Sequence, residues 1–364
     1  GRFISTGVQN TIMGSLAGDA LTTGSRNVAI GYLALSTEDE TDNVVAVGWG
    51  ALASQDAGTD TFNVAVGYNA GTSVTTGYRN TFLGGAAGDA VDTGYENVAV
   101  GTSALGSEDS GRKNVAVGDS ALTNQNSDAD NYNTAVGYYA GKEVTTATQN
   151  TLIGGLAGDA LTTGGTNVAV GYAALSAEDT GGKNTAIGWN AMSSLDAGGN
   201  GNNVSVGFNS STAMTTAVAS TIVGSEAGKA ITTGNYNTVL GYLALSSEDE
   251  GSHNVAIGYL ALEDQDAGAD AYNVAIGSSA GKEVTTGKEN VFIGGNVADS
   301  ITTGQRNVAI GHAALQTEDE HGYNVAIGNR ALQTQNAGAD AYNVAVGSNA
   351  GQSITTGVQN TFIG

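Results

Sequence analysis

The feature that most constrains the fold is a short phrase that recurs 21 times along the chain. It consists of Asn, Val or Thr, a usually small residue, an aliphatic residue and Gly, and its first copy begins at Asn10. The next copies begin at Asn27, Val44, Asn63 and Asn80, and the same series of spacings then repeats without interruption. The chain therefore has a higher-order period, the super-repeat, that runs from one phrase to the fourth phrase after it. Such regularity is typical of solenoids and fibres, in which each repeat stacks on its neighbours.

Alternation within the phrase predicts a short β-strand. The second position is Val or Thr and the fourth is aliphatic throughout, as in Val28 and Ile30, so these side chains share one strand face. The fifth position is always Gly, which permits a positive φ or a close backbone approach. We therefore predict an all-β fold, a parallel β-solenoid (a β-roll or trimeric β-helix) of about 21 stacked coils of 17 or 19 residues with a 70-residue super-repeat.

The third position lies on the other side of the strand and is usually Ala. Once per super-repeat it is large, as in Phe82 and Phe292, and the residue after the Gly is then small; many other coils place an aromatic there, such as Tyr32. This exchange predicts that the two positions share one packing environment. We also predict a homotrimer in which a neighbouring chain approaches the third position and covers Phe82 and Phe292.

A second exchange concerns the segment that returns from the strand. Some coils read Ala17-Gly18 followed by Leu21, whereas others read Ala34-Leu35 followed by an acidic or amide-rich loop. Each coil thus carries one large aliphatic residue at one of two places, which predicts a continuous core.

The Asn residues that open the phrase predict a stacked amide ladder, in which each amide pairs with the next. Attachment of glycans is disfavoured because the second residue after these Asn is seldom Ser or Thr. The ladder comprises Asn10, Asn27, Asn63, Asn80, Asn97, Asn114, Asn133, Asn150, Asn167, Asn184, Asn203, Asn237, Asn254, Asn273, Asn290, Asn307, Asn324, Asn343 and Asn360.

The domain organisation predicted is a single repetitive segment over residues 1–364. Neither end carries the atypical capping repeat with which solenoids usually cover their exposed strand edges. We therefore expect the segment to belong to a longer chain with flanking domains. Its super-repeats are residues 10–79, 80–149, 150–219, 220–289 and 290–359.

The charge balance limits the classes of partner that the chain can bind. There are 35 acidic and 12 basic residues, with a net charge of −23, which disfavours nucleic acid and anionic membrane surfaces. No apolar run approaches the ~20 residues needed to span a bilayer, so we expect no membrane insertion by this segment.

The acidic loops are the one place where a cofactor is plausible, and that cofactor is Ca²⁺, which favours clustered carboxylates. The alternative, which we favour, is a solvated face that keeps the chain soluble, with no cofactor. Of the 35 carboxylates, 24 lie in the loops that follow Ala-Leu or its equivalent. The candidate ligands are Glu38, Asp39, Glu40, Asp128, Asp130, Asp264, Asp266 and Asp270.

Threonine pairs suggest a second alternative, an ice-binding solenoid with a flat hydroxyl array. The array is broken, however, because coils with Thr pairs are separated by acidic coils. These Thr pairs are Thr22-Thr23, Thr75-Thr76, Thr162-Thr163, Thr232-Thr233 and Thr302-Thr303.

Catalysis finds no support in the residue pattern, and we predict that the chain is not an enzyme. His253, His312 and His321 occupy unrelated coil positions, and there is no Cys to act as nucleophile. No Ser or Thr has a recurring His and carboxylate companion.

Phrases such as Asn27-Val28-Ala29-Ile30-Gly31 and Asn307-Val308-Ala309-Ile310-Gly311 resemble the head repeats of trimeric autotransporter adhesins. They are equally similar to shaft repeats of some phage tail fibres, and the resemblance covers the whole chain. The adhesin resemblance implies a left-handed parallel β-roll, association of three chains about a common axis, and binding to a host-surface receptor or glycan. Either resemblance implies an extracellular location, at a cell surface or on a virion. The coil of the adhesin family is shorter than the coils of this chain.

Overall fold

A computed structural model describes residues 2–364, which contain 21 β-strands of three residues and no helix. The prediction of an all-β parallel β-solenoid of about 21 coils is confirmed. Two compact units are distinguished, residues 2–182 and residues 183–364. The described residues include no helix long and apolar enough to cross a membrane.

The first unit contains β1 (Thr11–Met13), β2 (Val28–Ile30), β3 (Val45–Val47), β4 (Val64–Val66), β5 (Thr81–Leu83), β6 (Val98–Val100), β7 (Val115–Val117), β8 (Thr134–Val136), β9 (Thr151–Ile153) and β10 (Val168–Val170). The second contains β11 (Thr185–Ile187), β12 (Val204–Val206), β13 (Thr221–Val223), β14 (Thr238–Leu240), β15 (Val255–Ile257), β16 (Val274–Ile276), β17 (Val291–Ile293), β18 (Val308–Ile310), β19 (Val325–Ile327), β20 (Val344–Val346) and β21 (Thr361–Ile363).

Within each unit, every strand pairs in parallel with the strand of the next coil, and equivalent positions of the phrase face each other. Ala29 lies opposite Ala46 in the pairing of β2 with β3, for example, and Ala275 lies opposite Phe292 in that of β16 with β17. The pairing of β3 with β4, which are joined by one of the longer coils, keeps the same register. The two extra residues of the longer coils are therefore accommodated in their loops.

The inward face of each strand differs from our expectation. The third position points into the coil: Ala29, Phe82 and Phe292 are all fully buried within the single chain. The second and fourth positions point outward, and Leu83 for example is 47% exposed. The prediction that a neighbouring chain covers Phe82 and Phe292 is therefore wrong, because the chain covers them itself.

Room for the large third-position residue comes from glycine. A Cβ atom added to Gly71 or Gly88 would lie 2.7 or 2.4 Å from ring carbons of Phe82. The residue after the Gly, by contrast, is exposed in most aromatic cases, such as Tyr68 at 60%. The prediction that the third position and that residue share one packing environment is therefore wrong. The glycines of the Ala-Gly segments leave room for the large Phe82. The Leu of the Ala-Leu segments fills the space beside the smaller third-position Ala residues.

The return segment completes the core as predicted. Leu21 is fully buried in an Ala-Gly coil, and Leu35 is fully buried in an Ala-Leu coil. Most coil interiors are thus filled by one large apolar group beside the third-position side chain, which explains why two sequence patterns can stack without a gap; the coil that begins at Asn184 buries both Met192 and Leu195.

Candidate functional site

The Asn residues at the opening position form a hydrogen-bonded column inside each unit. The Oδ1 atom of Asn80 accepts the main-chain N–H of Asn97 at 3.0 Å, and its Nδ2 donates to the carbonyl of Gly94 at 2.8 Å. Each such amide therefore joins two coils and also braces its own coil. Direct amide-to-amide contacts, the pattern we expected, occur between Asn114 and Asn97 and between Asn324 and Asn307, each at 3.2 Å.

All but two members of the column are buried; Asn10 and Asn360, in the first and last of the described phrases, are partly exposed. Where Ser220 replaces Asn, its hydroxyl oxygen still accepts the main-chain N–H of Asn237 at 3.1 Å. The column is therefore a structural feature, and its amides are turned away from solvent.

Five glutamates, one in each super-repeat, were not anticipated as a set. In the acidic coils they occupy the position at which Ala-Gly coils have a core aliphatic residue such as Leu21. This shared position is the feature of the sequence that indicates their burial. Each side chain is fully buried: Glu38, Glu108, Glu178, Glu248 and Glu318.

Glu108 illustrates how such a carboxylate is held. It accepts the main-chain N–H groups of Gly111 at 2.7 Å and Ser127 at 3.2 Å. It also accepts side-chain N–H groups from Gln125 at 2.8 Å and Asn131 at 3.1 Å. One buried carboxylate thus ties together the acidic loop of its own coil and the longer loop of the next.

Burial shifts the protonation equilibrium of two of these groups. Desolvation raises the pKa of Glu108 above its ordinary value, although the hydrogen bonds from Gln125, Ser127 and Gly111 act in the opposite direction. Burial likewise raises the pKa of Glu318, against the influence of Gln335 and His321. The folded chain therefore favours the neutral form of these two side chains more than an unfolded chain would.

Candidate metal ligands come together in small groups, each containing one of the buried glutamates. Each group offers three ligand atoms within 4.8 Å of one another, whereas Ca²⁺ takes six to eight oxygen ligands. The buried glutamate of each group also accepts hydrogen bonds from the protein. The groups are Glu38, Asp39 and Asp56; Glu248, Asp249 and Asp266; and Glu318, Asp319 and His321.

The other predicted ligands lie outside these groups. Asp130 forms ion pairs with Lys113 at 2.6 Å and Arg112 at 3.0 Å, and the hydrogen bond from Lys113 lowers the pKa of Asp130. Asp270 accepts a hydrogen bond from Tyr272 at 3.3 Å. Glu40, Asp128 and Asp264 are exposed. Asp56, Glu248, Asp249, Glu318, Asp319 and His321 were not predicted, although they occupy coil positions equivalent or adjacent to those of predicted candidates.

Several hydroxyl groups of the threonine pairs form hydrogen bonds within the protein. In the first residue of the pair, Thr162 donates to the carbonyl of Asp179 at 3.2 Å and Thr302 to that of Asp319 at 3.0 Å. Second members, such as Thr163, are exposed. Hydroxyl groups that are already bound to carbonyl oxygens are less available to ice, which does not favour the ice-binding alternative.

In each unit, the outward side of the strands is an uncharged apolar surface, hereafter the sheet face, made by the second and fourth positions of the phrases of that unit. The 42 such positions of the two units contain only Val, Thr, Ile, Leu and Met. They are half-buried or exposed throughout, with Leu83 at 47% and Leu240 at 49%.

Aromatic residues border the sheet face at both strand ends. After the Gly, the rings of Tyr32, Trp49 and Tyr68 stack with centroids 5.9 and 5.0 Å apart. Before the Asn, Tyr78 stacks on Tyr95 at 4.6 Å, and Arg79 lies 5.7 Å from the Tyr78 ring. The apolar character of the face therefore extends beyond the strands.

The described residues form no pocket, and the three histidines occupy different positions of their coils, two of them in the coil that begins at Asn307. His253 stacks between Tyr236 and Tyr272, and His321 Nδ1 lies 3.2 Å from Glu318 Oε1. The features of this chain able to engage another molecule are therefore extended surfaces. No protein-family model matches the chain, and comparison with curated proteins finds no match.

Proposed function

We propose that this chain is a structural segment of an extracellular trimeric fibre, either a surface adhesin or a phage tail fibre, where it serves as spacer and as attachment to a host or surface. The observation that carries the proposal is the unvarying register of the coils: strand after strand pairs through equivalent positions in each unit. Each further coil of such a repeat adds length and surface to the solenoid without adding a specialised site.

Self-association is supported by the sheet face. Contiguous apolar surface of this kind is uncommon on monomeric soluble proteins and marks sites of association. The resemblance of the Asn-Val-Ala-Ile-Gly phrases to trimeric fibres supports three as the number of chains.

Immunogold labelling of intact cells and virions from the source tests the location and role. Antibodies against this chain should decorate appendages that project from the surface. Label confined to the cell interior, or to the interior of a particle, would contradict the proposal. A matched control uses antibodies preadsorbed with the purified chain, which should leave the appendages bare.

Calcium binding is the alternative with an observation in its favour, namely the three carboxylate-containing groups. Calorimetric titration with Ca²⁺ separates the two functions. A spacer should give no saturable heat at millimolar Ca²⁺, whereas a calcium-dependent solenoid should saturate with a few ions per chain.

A further inference from the structure

The acidic residues of the chain avoid one band of its surface. This band runs from the residue before each Asn to the residue after each Gly and includes the sheet face. Only three of the 35 acidic residues fall in it: Glu96, Asp119 and Glu289. The band also carries five of the 12 basic residues: Arg26, Arg79, Lys113, Lys183 and Arg306.

This segregation matters because the whole chain has a net charge of −23. Two copies meeting through their acidic loops would bring like charges together, which is unfavourable. Copies meeting through the band would keep those loops apart and in solvent, where counterions screen them.

The size of the sheet face suits a protein partner. A three-residue strand covers roughly 10 Å along its length and about 4.8 Å across, or roughly 50 Å². The ten strands of the first unit therefore present roughly 500 Å², before the bordering aromatic rings are counted. A stable interface buries about 800 Å² on each partner, so each unit supplies well over half of that amount.

The regular spacing of side chains from one coil to the next indicates a particular partner. Side chains on the face recur at every coil, about 4.8 Å apart. Close packing against such a surface requires a partner whose own side chains recur at the same spacing over the same length. A second copy of this chain meets both requirements, whereas an ordinary globular surface meets neither.

From these observations we infer that the sheet face is the surface through which copies of this chain pack against one another. The inference rests on the proposed fibre and adds the location of its contact. The contact that we expected at the third position is thereby assigned to the second and fourth positions. Third-position side chains fill the coil interior, whereas the side chains at the second and fourth positions are exposed to solvent in the single chain.

The chain has no Cys, so single cysteines can report on this face without background. L83C and I153C place a thiol at fourth positions that are 47% and 39% exposed in the single chain. T76C and T163C are matched controls at exposed positions of the neighbouring return segments. Each variant is treated with a bulky maleimide under native conditions, after circular dichroism has shown an unchanged spectrum and light scattering has given its molar mass.

In the oligomer, L83C and I153C should react about tenfold or more slowly than the two controls, because labelling requires the interface to open. Denaturant should abolish the difference. Equal rates in a sample that light scattering shows to be oligomeric would overturn the inference and leave the proposed fibre intact. A monomeric sample would overturn the proposed association together with this contact.

Discussion

The glycines at the fifth position bring successive coils so close that their backbones leave no room for a Cβ atom. Gly137 has a φ of 145°, and a Cβ atom on it would lie 2.3 Å from the carbonyl oxygen of Gly154. Both the dihedral angle and the close approach exclude a side chain. The invariance of this position along the chain therefore follows from the stacking itself.

Replacing Gly137 by Ala should lower the free energy of unfolding by about 3 kcal/mol or more, because strain at φ adds to the clash. The matched control is Gly268→Ala, where φ is 58° and nothing lies within 4 Å of the added Cβ atom. That variant should lose only about 1 kcal/mol. Urea denaturation measures both, and equal losses would contradict the role of the close approach.

The buried Phe82 allows the core packing to be tested in two steps. Phe82→Leu copies the residue found at the equivalent Leu152 and should cost about 1 kcal/mol. Phe82→Ala leaves a cavity between Gly71 and Gly88 and should cost about 3–5 kcal/mol.

The control for Phe82 is Phe3→Ala, the same change at a side chain that is 56% exposed and lies outside the band described above, with an expected effect of about 0.5 kcal/mol. Urea denaturation of the three variants compares them. If Phe82→Ala were as mild as the control, the side chain would not lie in the core.

Coils are held to one another by main-chain pairing and by the asparagine column. Asn150 links three coils: its N–H donates to Asn133 Oδ1 at 2.9 Å, and its own Oδ1 accepts the N–H of Asn167 at 2.8 Å. Its Nδ2 donates to the carbonyl of Gly164 at 3.0 Å. Removing this amide therefore leaves two main-chain groups without their partner.

Asn150→Ala should destabilise the chain by about 2–4 kcal/mol, since each buried unsatisfied group costs about 1–3 kcal/mol. Asn150→Ser should cost less, because Ser220 shows that a hydroxyl oxygen at this position can accept the N–H of the next coil. Hydrogen exchange at the Asn167 amide distinguishes the variants: exchange should be fast in the Ala variant and slow in the Ser variant. Equal exchange in both would contradict the role of Oδ1.

Two of the buried glutamates, Glu108 and Glu318, make the stability of the chain dependent on pH. Burial raises the folded-state pKa of Glu108 and Glu318 above the ordinary value of 4.5. The resulting stabilisation is complete below the pKa of the unfolded chain and is lost as pH rises through the folded pKa. We therefore expect the urea midpoint to rise when the pH is lowered from 7 to about 5.

Salt provides the control for that pH effect. High salt screens the repulsion among surface carboxylates, but it acts much less on groups buried away from water. Most of the rise in midpoint should therefore persist in about 1 M salt. A midpoint that falls on acidification, or a rise that salt abolishes, would contradict the assignment to buried glutamates.

For the molecule as a whole, the number of coils, the strand positions and the parallel register follow from the sequence, because one short phrase repeats without interruption. The inward face of the strand did not follow. Both faces are apolar, and we expected the face that carries Ala29 to meet a neighbouring chain. The third position lies inside whether it carries the small Ala29 or the large Phe82, because the return segment supplies a bulky or a small residue beside it.

The candidate site was less predictable than the fold. Glu108 stands in a run of polar residues that is typical of a solvated loop, yet it occupies a core position because four neutral donors surround it. Those donors come from two coils, and Asn131 lies 23 residues away. The left-handed backbone conformation of Leu35, with a φ of 51°, could likewise not be predicted from the sequence, because the residue that usually indicates this conformation is Gly.

Removing divalent cations should leave the whole molecule stable. The acidic groups offer three ligand atoms each, and their buried glutamates already accept hydrogen bonds. The melting temperature in excess chelator should therefore match that in millimolar Ca²⁺ to within a few degrees. A large decrease on chelation would show that the carboxylates act as ligands whose binding stabilises the fold.

The central claim, that this chain is a segment of a trimeric fibre, is tested most directly by its molar mass in solution. Light scattering of the purified chain at low micromolar concentration should give three times the chain mass of 36.1 kDa. A clean monomer of 36.1 kDa across that concentration range would contradict the account.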